Sequence, residues 1–442
     1  MKHTFSARTI TRATTVLCMI LLSTAFTATW QAKTDETTTP AGACRPLSLE
    51  TTDYFLGVIS TLPSYRGQPA QLQIHRVRPV YTSGRCRHRV QPAILVHGLS
   101  IDSVSAFDLQ YSDYSLMQAM ANAGIDAFAV NLLGFGQSTR FGLDDPCNAS
   151  TAKDTPTLYQ PVNQQATFLI PNPLSAECAH SDGSYFIDRQ AWIHELSDVV
   201  RHVQDLYRHD ADRHGLTRVS LLSWSLGGFV IDVYLTIPGN QDNVKNVVMI
   251  APALGPGLGI PDTEPPPSER PTYPLLVGDF DGRINFSFQI SPDCPGQQDP
   301  NILQPIWDSV RQQDPLGAIW GSTDPNRGGI VRYPTRVLWG WNAALANTVT
   351  VPAMTIVGDL DTLVGNAPAD LHRALGSPEK VFLHMACGSH AILWEGSTHP
   401  SGWAGPHATA QDAIVQWITS ETYRGLANGI FHSLADGSVV QE

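Results

Sequence analysis

Short apolar runs alternate along most of this chain with longer stretches of three-four spacing, a pattern that predicts parallel strands joined by helical crossovers. Ala93–Val96 reads as a strand ending at His97–Gly98. Leu116, Met117 and Met120 share a face of a helix over Tyr114–Ala123, which Gly124 stops, and Asp126–Leu132 is the next strand. Over Gln190–Tyr207, the residues Trp192, Ile193, Leu196, Val199, Val200, Val203 and Leu206 keep the spacing of an amphipathic helix. Val219, Leu221 and Leu222 form a buried strand, and a helix over Leu226–Tyr234 follows at once. Val247–Ile250, Ala353–Val357 and Val381–Met385 read as further strands, and Pro368–Leu375 and Ala410–Ile418 as helices. A small added hairpin is expected over Gly429–Val439, turning at Asp436–Gly437.

The alternation breaks twice. From Ala253 to Val351 the chain is rich in Pro and Gly, including Pro265–Pro266–Pro267, and is too long for a simple crossover. Trp307, Trp320, Trp339 and Trp341 in that stretch need burial, so an inserted cap is expected over 253–351, with the core in 46–252 and 352–425. A second insertion, between Thr139 and Arg189, carries Cys147 and Cys178. Residues 33–45 are rich in Thr, Pro and Ala and read as a loose segment before order begins near Pro46.

Lys2, Arg8 and Arg12 precede an apolar run from Val16 to Ala28, and no acidic residue appears before Asp35. This is the pattern of a secretory signal over residues 1–32, with cleavage near Ala25–Ala32. The run falls short of the roughly twenty apolar residues that cross a bilayer, so no transmembrane anchor is expected and a secreted or periplasmic location is. Loss of the three cations would take the formal charge from −12 to about −15, which argues against nucleic acid as a partner. Cys44, Cys86, Cys147, Cys178, Cys294 and Cys387 then remain. An even set in an exported chain suggests up to three disulfides, and loop proximity suggests Cys44 with Cys86 and Cys147 with Cys178. Nothing is spaced as Cys-x-x-Cys, and no metal or cofactor is expected. Asn148-x-Ser150 and Asn285-x-Ser287 have the form of glycan acceptors.

Candidate chemistry gathers at predicted strand ends, the edge where open α/β sheets place their sites. The segment Ser223–Trp224–Ser225–Leu226–Gly227 delivers a serine into a tight turn between strand and helix, flanked by small residues. His97–Gly98–Leu99, Asp359 and Asp361, and Gly388–Ser389–His390 end three other strands. A serine hydroxyl is a poor nucleophile near neutral pH. An imidazole must take its proton, and a carboxylate must hold that imidazole in the correct tautomer. Three other features read as structural. Gly134-x-Gly136 lacks the third glycine of a dinucleotide loop, His194–Glu195 lacks the second histidine of a zinc-protease helix, and His202 and His209 read as a solvated face.

In the order of these motifs, including Gly134–Phe135–Gly136–Gln137–Ser138, the chain resembles the α/β-hydrolases over roughly residues 90–420. The resemblance implies a mostly parallel central sheet flanked by helices, with an inserted cap. It makes Ser225 the nucleophile, His390 the general base and acid, and Asp361, last residue of Gly-x-x-Asp, the orienting carboxylate, with Asp359 as the alternative. It assigns the amides of Leu99 and Leu226 to an oxyanion hole. The first glycine of the family's Gly-x-Ser-x-Gly turn is Ser223 here, still a small residue. Serine at 225 excludes the aspartyl-enzyme chemistry of epoxide hydrolases and leaves acyl transfer. An exported esterase acting on an apolar ester or lactone is the expectation; thioesterase, peptidase, carbon–carbon bond hydrolase and a non-catalytic binding protein are the alternatives.

Overall fold

A computed structural model describes residues 45–81, 90–149, 187–208, 218–252, 260–266, 271 and 273–442. The leader, Cys44, Cys86, Cys178 and His209 fall outside them, and with them both expected cysteine pairings. The strands run β1 Ser48–Ile59, β2 Pro69–Val80, β3 Gln91–Val96, β4 Ile125–Asn131, β5 Ile187–Asp188, β6 Val219–Trp224 and β7 Val244–Ile250. They continue with β8 Leu275–Gly278, β9 Val331–Pro334, β10 Arg336–Val337, β11 Ala353–Gly358, β12 Lys380–Met385, β13 Gly429–Ser433 and β14 Val439–Gln441.

A ten-stranded sheet takes the order β1-β2-β4-β3-β6-β7-β11-β12-β13-β14. From β4 to β13 its neighbours pair in parallel, and antiparallel strands extend it at both edges. Every residue of β4 and β6 is buried, which is why these strands read as mostly apolar: helices cover both faces of a parallel sheet. The helix Arg189–Arg208 keeps the predicted face buried except at Leu206, which is 44% exposed near the helix end.

Two parts of the sheet differ from expectation. β1 and β2 form a long hairpin, in register from Ser48↔Val80 to Ile59↔Pro69, in a region with no predicted strand. β1 is half-exposed on alternate residues, so it lacks the apolar run that marks the central strands. The hairpin at the carboxyl end, expected as an appendage, instead continues the sheet, because β13 pairs in parallel with β12. His202 does not lie on a solvated face either. It is half-buried, and its Nε2 lies 3.0 Å from the Tyr54 hydroxyl of β1.

Within 253–351, β8 and β9 form a small antiparallel sheet, and β10 pairs with β5. Trp307, Trp320 and Trp341 are fully buried, whereas Trp339 is half-buried. Arg332 of β9 fastens this segment to the rest. Its guanidinium grips Asp314 through two bonds of 2.9 and 2.6 Å and reaches the Leu143 carbonyl at 2.8 Å and Asp144 at 2.9 Å, with Trp320 stacked against it. Among the described residues no helix is long and apolar enough to cross a membrane.

Candidate active site

Ser225 occupies the turn between β6 and the helix Gly227–Leu235 with φ +55°, a left-handed conformation that serine rarely adopts. The surroundings hold it there. Its amide donates to the Ile250 carbonyl at 2.8 Å, and its carbonyl accepts from the Gly228 amide at 2.9 Å. Gly227 permits the turn. A Cβ there would lie 2.4 Å from the Val96 carbonyl oxygen and 2.6 Å from that of His97, so only glycine lets the helix cross the end of β3 this closely.

The loops after β11 and β12 meet glycine on glycine. A Cβ on Gly358 would sit 2.2 Å from the Gly388 carbonyl oxygen, and the Leu360 amide donates to that carbonyl at 2.9 Å. This contact brings Asp361 to His390. Asp361 Oδ2 lies 2.8 Å from His390 Nδ1, and His390 Nε2 lies 2.9 Å from Ser225 Oγ. The Asp361 side chain is fully buried, and its other oxygen accepts from the amides of Leu363 at 2.9 Å and Val364 at 3.3 Å. Asp359 is not part of this group: it is about half exposed and faces His384 at 3.2 Å.

Gly98 packs on the serine, where an added Cβ would be 3.2 Å from Ser225 Cβ. Among the described residues nothing accepts a hydrogen bond from the amides of Leu99 or Leu226. His97 is held neutral. Burial pulls its imidazole down to about 4; Nδ1 donates to the Gly98 carbonyl at 2.8 Å, and Nε2 accepts from the Leu132 amide at 3.3 Å. Trp224 is buried and supports the histidine from below, its indole N–H donating to the His390 carbonyl at 2.9 Å while its ring packs edge-on against Trp394.

Sequence reasoning missed how residues 287–297 grip the histidine loop. Cys294 is bonded to Cys387, three residues before His390, with an S–S distance of 2.10 Å. The His390 amide donates to Gln289 Oε1 at 3.1 Å, and the Ser389 hydroxyl lies 3.1 Å from the Ser287 carbonyl. Beneath them Glu395 is fully buried, accepting from the Ser389 amide at 2.7 Å and from Gln297 Nε2 at 2.8 Å. One signal was present in the sequence: Glu395 is a lone carboxylate after the apolar run Ala391–Trp394.

Several sequence candidates are structural. Gly134 and Gly136 have positive φ, and a Cβ at Gly136 would strike the Asn131 side chain at 2.0 Å. Glu195 is buried and accepts from the Leu133 amide at 2.9 Å, while His194 is exposed. Asn148, expected as a possible glycan acceptor, is fully buried in the folded chain with its amide donating to the Gly142 carbonyl at 2.8 Å, an arrangement that a glycan on that nitrogen would disrupt. Among the described residues no group of three His, Cys, Asp or Glu is arranged to hold a metal.

A profile described as the Alpha/beta hydrolase family matches residues 93–414. No curated protein sequence matches the chain. Solved structures similar to it include a thioesterase domain from the curacin biosynthetic pathway, at 12% identity and a TM-score of 0.41, covering 84% of this chain and 100% of that one. A carboxylesterase from Bacillus subtilis is 14% identical with a TM-score of 0.39, covering 78% of this chain and 87% of the other. A bromoperoxidase from Bacillus anthracis is 12% identical with a TM-score of 0.39, covering 76% and 94%.

Proposed function

This chain belongs to the α/β-hydrolase family, and from that premise we propose that it is a serine hydrolase cleaving a carboxylic ester through an acyl-enzyme on Ser225. The observation that carries the reading is the continuous contact from Ser225 Oγ through His390 to buried Asp361, at 2.9 and 2.8 Å, built from three loops at one sheet edge. Asp361, acting as an acceptor, holds the His390 proton on Nδ1, leaving Nε2 free to take the serine proton. Ser225 Oγ bonds to the ester carbonyl carbon, and the carbonyl oxygen becomes an anion facing the free amides of Leu99 and Leu226. Collapse breaks the bond to the leaving alcohol, which receives the proton from His390. A water molecule, deprotonated by His390, then adds to the acyl group and releases the acid and Ser225.

Residues 253–351 act in this reading as a cap over the serine, supported by the disulfide and hydrogen bonds that tie 287–297 to the histidine loop. The Cys294–Cys387 disulfide and the amino-terminal leader pattern together support export to an oxidising compartment. The substrate is an ester or lactone of apolar character. The test is stoichiometric labelling by a fluorophosphonate, with a series of p-nitrophenyl esters of increasing chain length as substrates. Labelling of the wild type but not of Ser225→Ala, together with ester turnover, is expected; a folded wild type that takes no label overturns the proposal.

A further inference from the structure

The Ser389 hydroxyl has more acceptors around it than protons to give. Its Oγ lies 2.5 Å from Glu395 Oε1 and 3.1 Å from the Ser287 carbonyl, while the Ala391 amide donates to it at 3.2 Å. A serine hydroxyl donates once. It can therefore serve Glu395 or Ser287 at any moment, and the ionisation of Glu395 decides which. An ionised Glu395 takes the hydroxyl proton and leaves the Ser287 carbonyl without that donor. A Glu395 protonated on Oε1 gives its own proton to Ser389 Oγ and frees the hydroxyl to bond Ser287. In that second state Oε2 still accepts from the Ser389 amide, and Oε1 still accepts from Gln297, so each of these groups has a partner.

We propose that Glu395 is a positioning residue for His390, turning the Ser389 hydroxyl between its own carboxylate and the Ser287 carbonyl and so setting how firmly residues 287–297 grip the histidine loop. The proposal rests on the hydrolase reading above. The grip matters to chemistry because Ser389 precedes His390 directly, and the next amide along, that of His390, is itself held by Gln289. A shift of this loop moves Nε2 relative to Ser225.

The switch falls in an accessible range. Burial pushes the Glu395 carboxyl up to about 7 against the opposing hydrogen bonds from Ser389 and Gln297, and the charge of Asp361 adds to the rise. Among the described residues, further titratable groups beside it are Tyr114 from the loop before the helix Leu116–Asn122 and His407 from the helix Pro406–Ser420. His407 bonds the Glu395 backbone carbonyl through Nδ1 at 2.7 Å and faces Asp113 through Nε2 at 3.3 Å.

The test is the pH dependence of fluorophosphonate inactivation for the full wild-type chain, Glu395→Gln and Ser389→Ala, with a thermal melt of each. The wild-type profile is expected to carry a step from Glu395. In each variant that step should vanish: Ser389→Ala, which cannot bond Ser287, is slowed about tenfold at pH 6, whereas Glu395→Gln, whose amide donates to Ser389 Oγ as the protonated carboxyl does, keeps the wild-type rate at pH 6 and holds it as pH rises through 7. Should Glu395→Gln not fold, Ser389→Ala, which keeps the carboxyl and removes only the hydroxyl, decides alone. A folded variant that melts lower but keeps the wild-type profile makes the cluster merely structural and overturns the proposal. A wild type that takes no label at any pH overturns the hydrolase reading itself, whereas a labelled wild type with unchanged variants overturns only this inference.

Discussion

Replacing Asp361 by Asn tests the assignment of the acid more sharply than removing it does. The Asp361 side chain is fully buried, and its Oδ1 accepts from two backbone amides, those of Leu363 and Val364. An Asn amide nitrogen cannot face two donors, so the side-chain oxygen of the variant must occupy that position. The NH2 group is then turned onto His390 Nδ1, 2.8 Å away in the wild type. Nδ1 must become an acceptor, and the ring proton moves to Nε2, where it faces Ser225 Oγ and blocks proton uptake. A wrong tautomer of this kind costs about 10⁴ in kcat, or about 5 kcal/mol of transition-state stabilisation. Asp359→Asn is the control. That side chain is about half exposed and faces His384 at 3.2 Å, away from His390, so the substitution should change kcat by less than about twofold. The assay is burst and steady-state hydrolysis of a p-nitrophenyl ester that the wild type turns over, with circular dichroism confirming the fold. An Asp361→Asn enzyme retaining more than about a tenth of wild-type kcat would refute the tautomer argument, as would a collapse of activity in Asp359→Asn.

Three further outcomes follow from the geometry. Gly227→Ala places a methyl group 2.4 Å from the Val96 carbonyl oxygen, against backbone that cannot rotate away; urea unfolding should register a loss of about 3 kcal/mol, and fluorophosphonate labelling should fall with it. Ser225→Gly relieves the left-handed conformation at φ +55°, whereas Ser225→Ala keeps it, so the glycine variant should be the more stable of the two inactive proteins by about 1 kcal/mol in the same assay. Glu395 has an ordinary value of 4.5 when unfolded and about 7 when folded and buried, so unfolding releases a proton between those values. Its contribution to stability is full below pH 4.5 and falls by about 3 kcal/mol as pH rises through 7. Calorimetric melts across that window should decline less steeply for Glu395→Gln than for the wild type, and equal slopes would contradict the burial argument.

The central strands were legible because parallel strands covered on both faces are mostly apolar, and the four loops that bear Leu99, Ser225, Asp361 and His390 were legible because each directly follows such a strand. The glycines at 227, 358 and 388 carried further information, since each marks a place where backbone meets backbone. β1 and β2 were not legible. A half-exposed edge hairpin has no continuous apolar run, and its pairing with β4 joins residues far apart in the chain. Nor did spacing choose decisively between Asp359 and Asp361, which are two residues apart on one loop. The fold separates them by burying one beside His390 and turning the other outward to His384.

The same limit applies to the grip on the histidine loop. Local patterning set the strands, the turn at Ser225 and the residue types the chemistry requires, because these depend on neighbours a few positions away. The pairing of Cys294 with Cys387 and the bonds of Ser287, Gln289 and Gln297 to Ser389, His390 and Glu395 span roughly a hundred residues. No periodicity records such a contact. It exists only when the sheet order places the end of β12 beside the inserted segment, where burial has removed the water that would otherwise compete for Glu395.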